Sequence, residues 1–279
     1  MAPAASKSRT RSSALWTLCR FGLSVFLISL IISLLALPWT DLSWWKVFRR
    51  CASIGAVISL VVFIKRIERR SFSSYGLLPH GAGKRHFLFG LALGLLGLAF
   101  MLGLGLLTGA CRLDLTPDTA RLWSTILGFI PAAVMVGILE ELVFRGFILQ
   151  HLLALSQPVA VIGSSALYAI VHLKITEITM HTWLELGGLF LLGAVLAISY
   201  LLTRQLALSI GLHAVLAYGA RVNKLLLEFT NQDLSWLVGT SRLVNGIASW
   251  IAIAGIGGMI VWWARRSQPQ GGVGHEQVV

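Results

Sequence analysis

This chain carries little charge. Only 12% of its 279 residues are Asp, Glu, Lys or Arg, and acids are scarcer than bases, 11 against 23. Hydrophobic residues make up 56%, and the mean hydropathy is +0.80. A soluble domain covers its surface with far more charge, so that class is excluded. Cysteine is nearly absent too. Cys19, Cys51 and Cys111 are scattered, with no CxxC and no Cys/His metal spacing, which removes a disulfide framework and a compact zinc module and leaves three apolar packing residues. There is no internal repeat. The longest stretch between apolar segments lies near 220–243, too short for a second, soluble domain.

What is present is a series of long apolar runs. About 20 such residues span a bilayer as a helix. Candidates run near 15–37, 47–64, 87–110, 124–151, 159–173, 184–203, 205–219 and 244–264. The expected fold is therefore all-α: a polytopic transmembrane bundle of about eight spans, with 159–173 and 205–219 short. Residues 1–13 read as a basic, disordered N-terminal tail, 14–264 as one transmembrane domain, and 265–279 as a flexible C-terminal tail. The first apolar run is too long for a signal-peptide core and reads as an uncleaved span. The net charge of +12 raises nucleic acid as a partner. The bases, however, sit in loops and tails without forming a stripe, so the expected partner is the lipid bilayer and not nucleic acid. Their distribution puts both termini on the cytoplasmic side. Trp44, Trp45, Trp262 and Trp263 stand at span ends, as an interfacial aromatic belt does. In the third span, Gly90-x-x-x-Gly94 and Gly105-x-x-x-Gly109 read as close helix packing.

Against this background Glu140, Glu141 and Arg145 stand out, because all three lie inside the apolar run 124–151. Charges at membrane depth persist where they face a protein interior or a wet cavity. Glu141 and Arg145 are i, i+4 and share a helix face, whereas Glu140 points about 100° away. If Glu141 neutralises Arg145, Glu140 is left as a buried carboxyl suited to general-base work. His172 ends the fifth apolar run and His213 lies inside the seventh. Two histidines and an acid pair on three spans can line one cavity. Tyr168 is i, i+4 to His172, placed to orient it or to line the pocket. His151 and His181 fall at span ends near water, and Glu177 and Glu185 in or beside a loop, where the bland reading of solvated polar residues suffices.

The three motifs read Glu140-Glu141-Leu-Val-Phe-Arg145, Tyr168-Ala-Ile-Val-His172 and His213-Ala-Val-Leu-Ala217. In order and spacing they resemble the CPBP family, the CAAX-protease and bacteriocin-processing (Abi) membrane proteins. That family's pattern is Glu-Glu-x-x-x-Arg, Phe-x-x-x-His and His-x-x-x-Asn/Asp. Ser74-Tyr-Gly76-Leu77, Phe190-x-x-Gly193 and Tyr200-x-x-Thr203 add flanking similarity, so that the likeness covers about residues 70–220. It departs from the pattern at Tyr168, where the family has Phe, and more seriously at Ala217, where the family has Asn or Asp.

The resemblance implies an intramembrane endopeptidase, an integral protein of a bacterial plasma membrane, acting on a membrane-embedded or lipidated protein or peptide. Glu140 activates water, His172 and His213 assist, and Glu141, Arg145 and Tyr168 support them. The central spans form the cavity, with the two short ones as walls. No cofactor is expected. The alternative is a zinc ion held by Glu140, His172 and His213 with an open fourth position. Ala217 keeps a second function open, a catalytically impaired member serving as a self-immunity or scaffold protein. A proton-coupled transporter is the weakest alternative, since its repeats are missing.

Overall fold

The computed structural model describes residues 10–77, 83–114, 119–172, 178–240 and 244–267. Pro79, Glu177, residues 1–9 of the expected N-terminal tail and 268–279 of the C-terminal one lie outside the described residues.

The described chain is helical throughout, apart from one small ribbon. In order come α1 (Arg11–Ala36), α2 (Trp44–Val62), α3 (Gly83–Leu107), β1 (Cys111–Leu113), α4 (Thr119–Glu141), α5 (Leu149–Leu152), α6 (Gln157–His172), α7 (Met180–Thr203), α8 (Ala207–Leu226), β2 (Leu227–Phe229), α9 (Ser235–Val238) and α10 (Ile247–Ser267). The protein is an all-α polytopic bundle. By length and composition six helices can cross a membrane: α1, α2, α3, α4 with its continuation to Leu152, α7 and α10. α6 is a shorter apolar helix. α8 falls outside the six although it has 20 residues, and it is buried without a break from Ala207 to Leu216. Its neighbours are protein, so it need not meet the apolar standard that lipid imposes.

α8 forms the axis of the bundle. α3 and α4 pack on it, α6 packs on α7, α7 on α10, and α1 on α2. The glycines set the closest approach. A Cβ on Gly90 would lie 2.2 Å from the Leu208 carbonyl oxygen, and one on Gly211 would lie 2.4 Å from that of Phe87. Small residues on both helices thus bring two backbones into contact. Gly94 lies against Val215 of α8 in the same way. Of the two motifs expected in the third span, Gly90-x-x-x-Gly94 is therefore used within the chain, whereas Gly109 lies beyond the end of α3 with open space where a Cβ would stand.

Three boundaries differ from the sequence reading. α1 starts at Arg11, because the Thr10 side chain accepts the Ser13 N–H and caps the helix. Residues 220–226, read as loop, continue α8. β2 then pairs antiparallel with β1, Cys111 opposite Phe229 and Leu113 opposite Leu227. Three-residue strands are too short to show a period in the sequence.

The segment around Tyr75 is a wedge. Ser71 to Leu77 contains a 3-10 turn, Phe72–Tyr75, and Gly76 takes φ +84°. Its carbonyl accepts the Leu206 N–H at 2.9 Å, which ties this connection to the start of α8.

Candidate active site

The site begins where α4 loses its regular pitch. Directly after Glu141 the chain forms a π-helical stretch, Leu142–Ile148, every residue of which is buried. Such π segments are rare and recur at functional sites, since the wider turn re-aims side chains. Arg145 lies within it and still reaches back to Glu141, Nη1 to Oε1 at 2.8 Å, with Arg145 1% and Glu141 0% exposed. The expected pairing is present. Arg145 Nη2 also donates to the Gly193 carbonyl of α7 at 3.1 Å, and the guanidinium lies over the Tyr168 ring, 4.7 Å from its centroid.

Glu141 does more than neutralise Arg145. The same Oε1 accepts the Nδ1–H of His213 at 2.8 Å. A charged pair that is taken out of water needs such additional hydrogen bonds. Arg145, Glu141 and His213 therefore form one chain across α4, its π stretch and α8. Because a carboxylate oxygen can only accept, His213 carries a proton on Nδ1 and turns its Nε2 inward. His172 is oriented in the same sense. Its Nδ1–H donates to the Tyr168 carbonyl at 2.8 Å, and its ring packs against the Tyr168 ring at 4.3 Å between centroids.

Both inward nitrogens converge on Glu140. Its Oε2 lies 3.1 Å from His172 Nε2 and 3.5 Å from His213 Nε2. Three lone pairs cannot face one another unprotonated, so the His172–Glu140 contact requires one shared proton. Exposure is graded across the site. The Glu140 and His172 side chains are 30% and 31% exposed, that of His213 5%, and Tyr168 as a residue only 2%. The first two form a mouth and the last two a floor.

The structure thus brings Glu140, Glu141, Arg145, Tyr168, His172 and His213 together. Glu140 is not an isolated carboxyl but the meeting point of two imidazoles. Gly193 was the least conspicuous contributor in the sequence. It offers only a backbone carbonyl, and a Cβ there would lie 2.9 Å from the Ser165 Cα. Its absence lets α7 approach α6. Ala217 lies half-buried one turn after His213.

His151 and Glu185 need correction. His151 is not at a wet span end. It is 0% exposed, with its Nε2 2.7 Å from Glu68 Oε1 and its Nδ1 2.7 Å from the Phe147 carbonyl. The Tyr75 hydroxyl donates to the other Glu68 oxygen. This second polar cluster clamps the end of α5 to the connection after α2. Glu185 is half-buried in the second turn of α7, beside the loop as expected but not fully solvated. His181 is half-buried beside Ser235, Nε2 to Oγ 3.2 Å. Among the described residues no group of three His, Cys, Asp or Glu side chains is arranged to hold a metal ion.

Residues 121–218 match a family model, that of the Rce1-like type II CAAX prenyl endopeptidases. This stretch runs from α4 into α8 and holds all three motifs, in agreement with the CPBP resemblance. Over this stretch, about a third of the chain, the likeness is to the CAAX-type membrane proteases. No curated protein matches the chain.

Proposed function

We propose that the protein is an intramembrane endopeptidase of glutamic type, which hydrolyses a peptide bond in a lipidated CAAX-type or C-terminally anchored membrane protein. One observation carries this reading: Glu140 Oε2 faces two imidazole Nε2 atoms whose other nitrogens are committed to Glu141 and to the Tyr168 carbonyl. With the shared proton on His172, Glu140 is a carboxylate at the mouth of the site. It takes a proton from water as the oxygen attacks the scissile carbonyl carbon. The carbonyl π pair moves to oxygen and gives a tetrahedral oxyanion beside His172. When the C–N bond breaks, the leaving nitrogen receives a proton from Glu140. Arg145 pairs with Glu141, Glu141 orients His213 through its Nδ1–H, and no step uses a metal. A substrate entering the bundle must unwind locally, because helical backbone buries its carbonyls in its own hydrogen bonds.

The test compares wild type with Glu140→Gln, expressed at matched levels in a host lacking the gene. Mass spectrometry reads the N- and C-terminal peptides of membrane and secreted proteins. New termini with wild type alone are the expected result. Identical termini with both forms folded in the membrane would overturn the reading and favour the scaffold alternative that Ala217 keeps open. Cleavage lost on chelation and restored by zinc would overturn its metal-free form.

A further inference from the structure

Among the described residues the site is short of donors for an oxyanion. Arg145 donates from Nη1 to Glu141 and from Nη2 to Gly193, its Nε–H is buried without a partner, and its 1% exposure keeps the guanidinium behind the Tyr168 ring. His213 donates its Nδ1–H to Glu141. The family places Asn or Asp one turn beyond this histidine, and Ala217 has nothing to offer there. His172 supplies at most its Nε2 proton, shared with Glu140. Among the described residues one hydroxyl remains beside the reacting groups. The Tyr168 oxygen lies 3.5 Å from His213 Nε2, a long contact that leaves its proton free to turn. The ring beneath it is fixed by the Arg145 cation, by Phe144 edge-on at 5.2 Å, and by His213 edge-on at 5.9 Å.

Resting on the endopeptidase reading above, we infer that Tyr168 is a catalytic residue whose hydroxyl donates to the developing oxyanion, in the place of the donor that position 217 lacks. Phenylalanine at 168 would pack the same ring contacts and supply no proton. The two departures from the family pattern thus compensate each other. The hydroxyl is preorganised on the floor of the site, next to the His213 nitrogen, where it costs no reorganisation as charge appears on the carbonyl oxygen. It keeps its proton throughout. The oxyanion accepts the hydrogen bond, then collapses to the carbonyl as the C–N bond breaks.

The test uses the full-length protein in proteoliposomes and a peptide spanning a cleavage site identified by the comparison of termini. Four forms are compared: wild type, Tyr168→Phe, Ala217→Asn and the double variant, with Glu140→Gln as the blank and a thermal melt as the check on folding. Removal of one oxyanion donor costs about 10²–10³ in rate. Tyr168→Phe is expected to lower kcat by about that factor with KM nearly unchanged, and Ala217→Asn to restore at least about tenfold of it in the double variant. Ala217→Asn alone is expected to change little. Full activity in folded Tyr168→Phe, with Glu140→Gln dead, would overturn this assignment and leave the protease reading standing. A loss that Ala217→Asn does not rescue would assign Tyr168 a packing role and overturn it equally. Wild type that yields no new termini beyond those of Glu140→Gln would overturn both.

Discussion

Replacing Arg145 with methionine keeps most of the side-chain volume and removes one charge and two hydrogen bonds, to Glu141 Oε1 and the Gly193 carbonyl. It leaves Glu141 as a 0%-exposed carboxylate with only the His213 N–H for support. Breaking a buried pair from one side typically costs about 3–5 kcal/mol, because the remaining charge is uncompensated. At about 2–4 °C per kcal/mol for chains of this size, the melt falls by roughly 6–20 °C. Glu141→Gln alone strands the cation and is expected to cost a similar amount. The double variant Glu141→Gln/Arg145→Met removes both charges together and should recover about 2 kcal/mol relative to the sum of the singles, a coupling of the size seen between contacting residues. Intrinsic-fluorescence melts of the four forms in one detergent read the cycle. Arg145→Lys is expected to resemble the methionine variant more than wild type, since a point charge cannot serve a carboxylate and a backbone carbonyl at once. Singles that melt within about 2 °C of wild type, or that add without coupling, would refute the view of Arg145–Glu141–His213 as one buried network.

Two further outcomes concern the scaffold. Gly211→Ala places a methyl 2.4 Å from the Phe87 carbonyl oxygen, where neither backbone can yield. It should lower the melt by several degrees or abolish folding, whereas Gly103→Ala, with open space around its Cβ, should leave it unchanged. Burial pushes the Cys111 thiol up from its ordinary value. Since the thiolate is the nucleophile, Cys111 should resist maleimide near pH 7 in folded protein and react on denaturation. Rapid native labelling, read by mass spectrometry, would show that the β1–β2 ribbon opens.

Much of the site was legible because membrane depth makes charge conspicuous. Glu140, Glu141, Arg145, His172 and His213 stood out against apolar neighbours, and the i, i+4 rule paired Glu141 with Arg145 before any coordinates. His151 was equally conspicuous but misread, since its partner Glu68 lies 83 residues away. Sequence proximity to a span end says nothing of what covers that end. The ribbon and the extension of α8 to Leu226 escaped notice for another reason. Short strands carry no period, and Arg221 and Lys224 interrupt the apolar pattern without interrupting the helix.

By composition and spacing alone, the chain determined an all-helical membrane protein with six polar residues in three motifs on three apolar segments, for periodicity and the cost of buried charge are local properties. Only the tertiary structure decided which atoms meet: that one Glu141 oxygen serves both Arg145 and His213, that both inward imidazole nitrogens face Glu140, and that the Tyr168 hydroxyl lies beside them. Those relations depend on the glycine-set approach of α3 to α8 and of α7 to α6, and on a π turn after Glu141. Distances of a few ångströms between helices far apart in the chain are set by such packing and leave no periodic trace in the sequence.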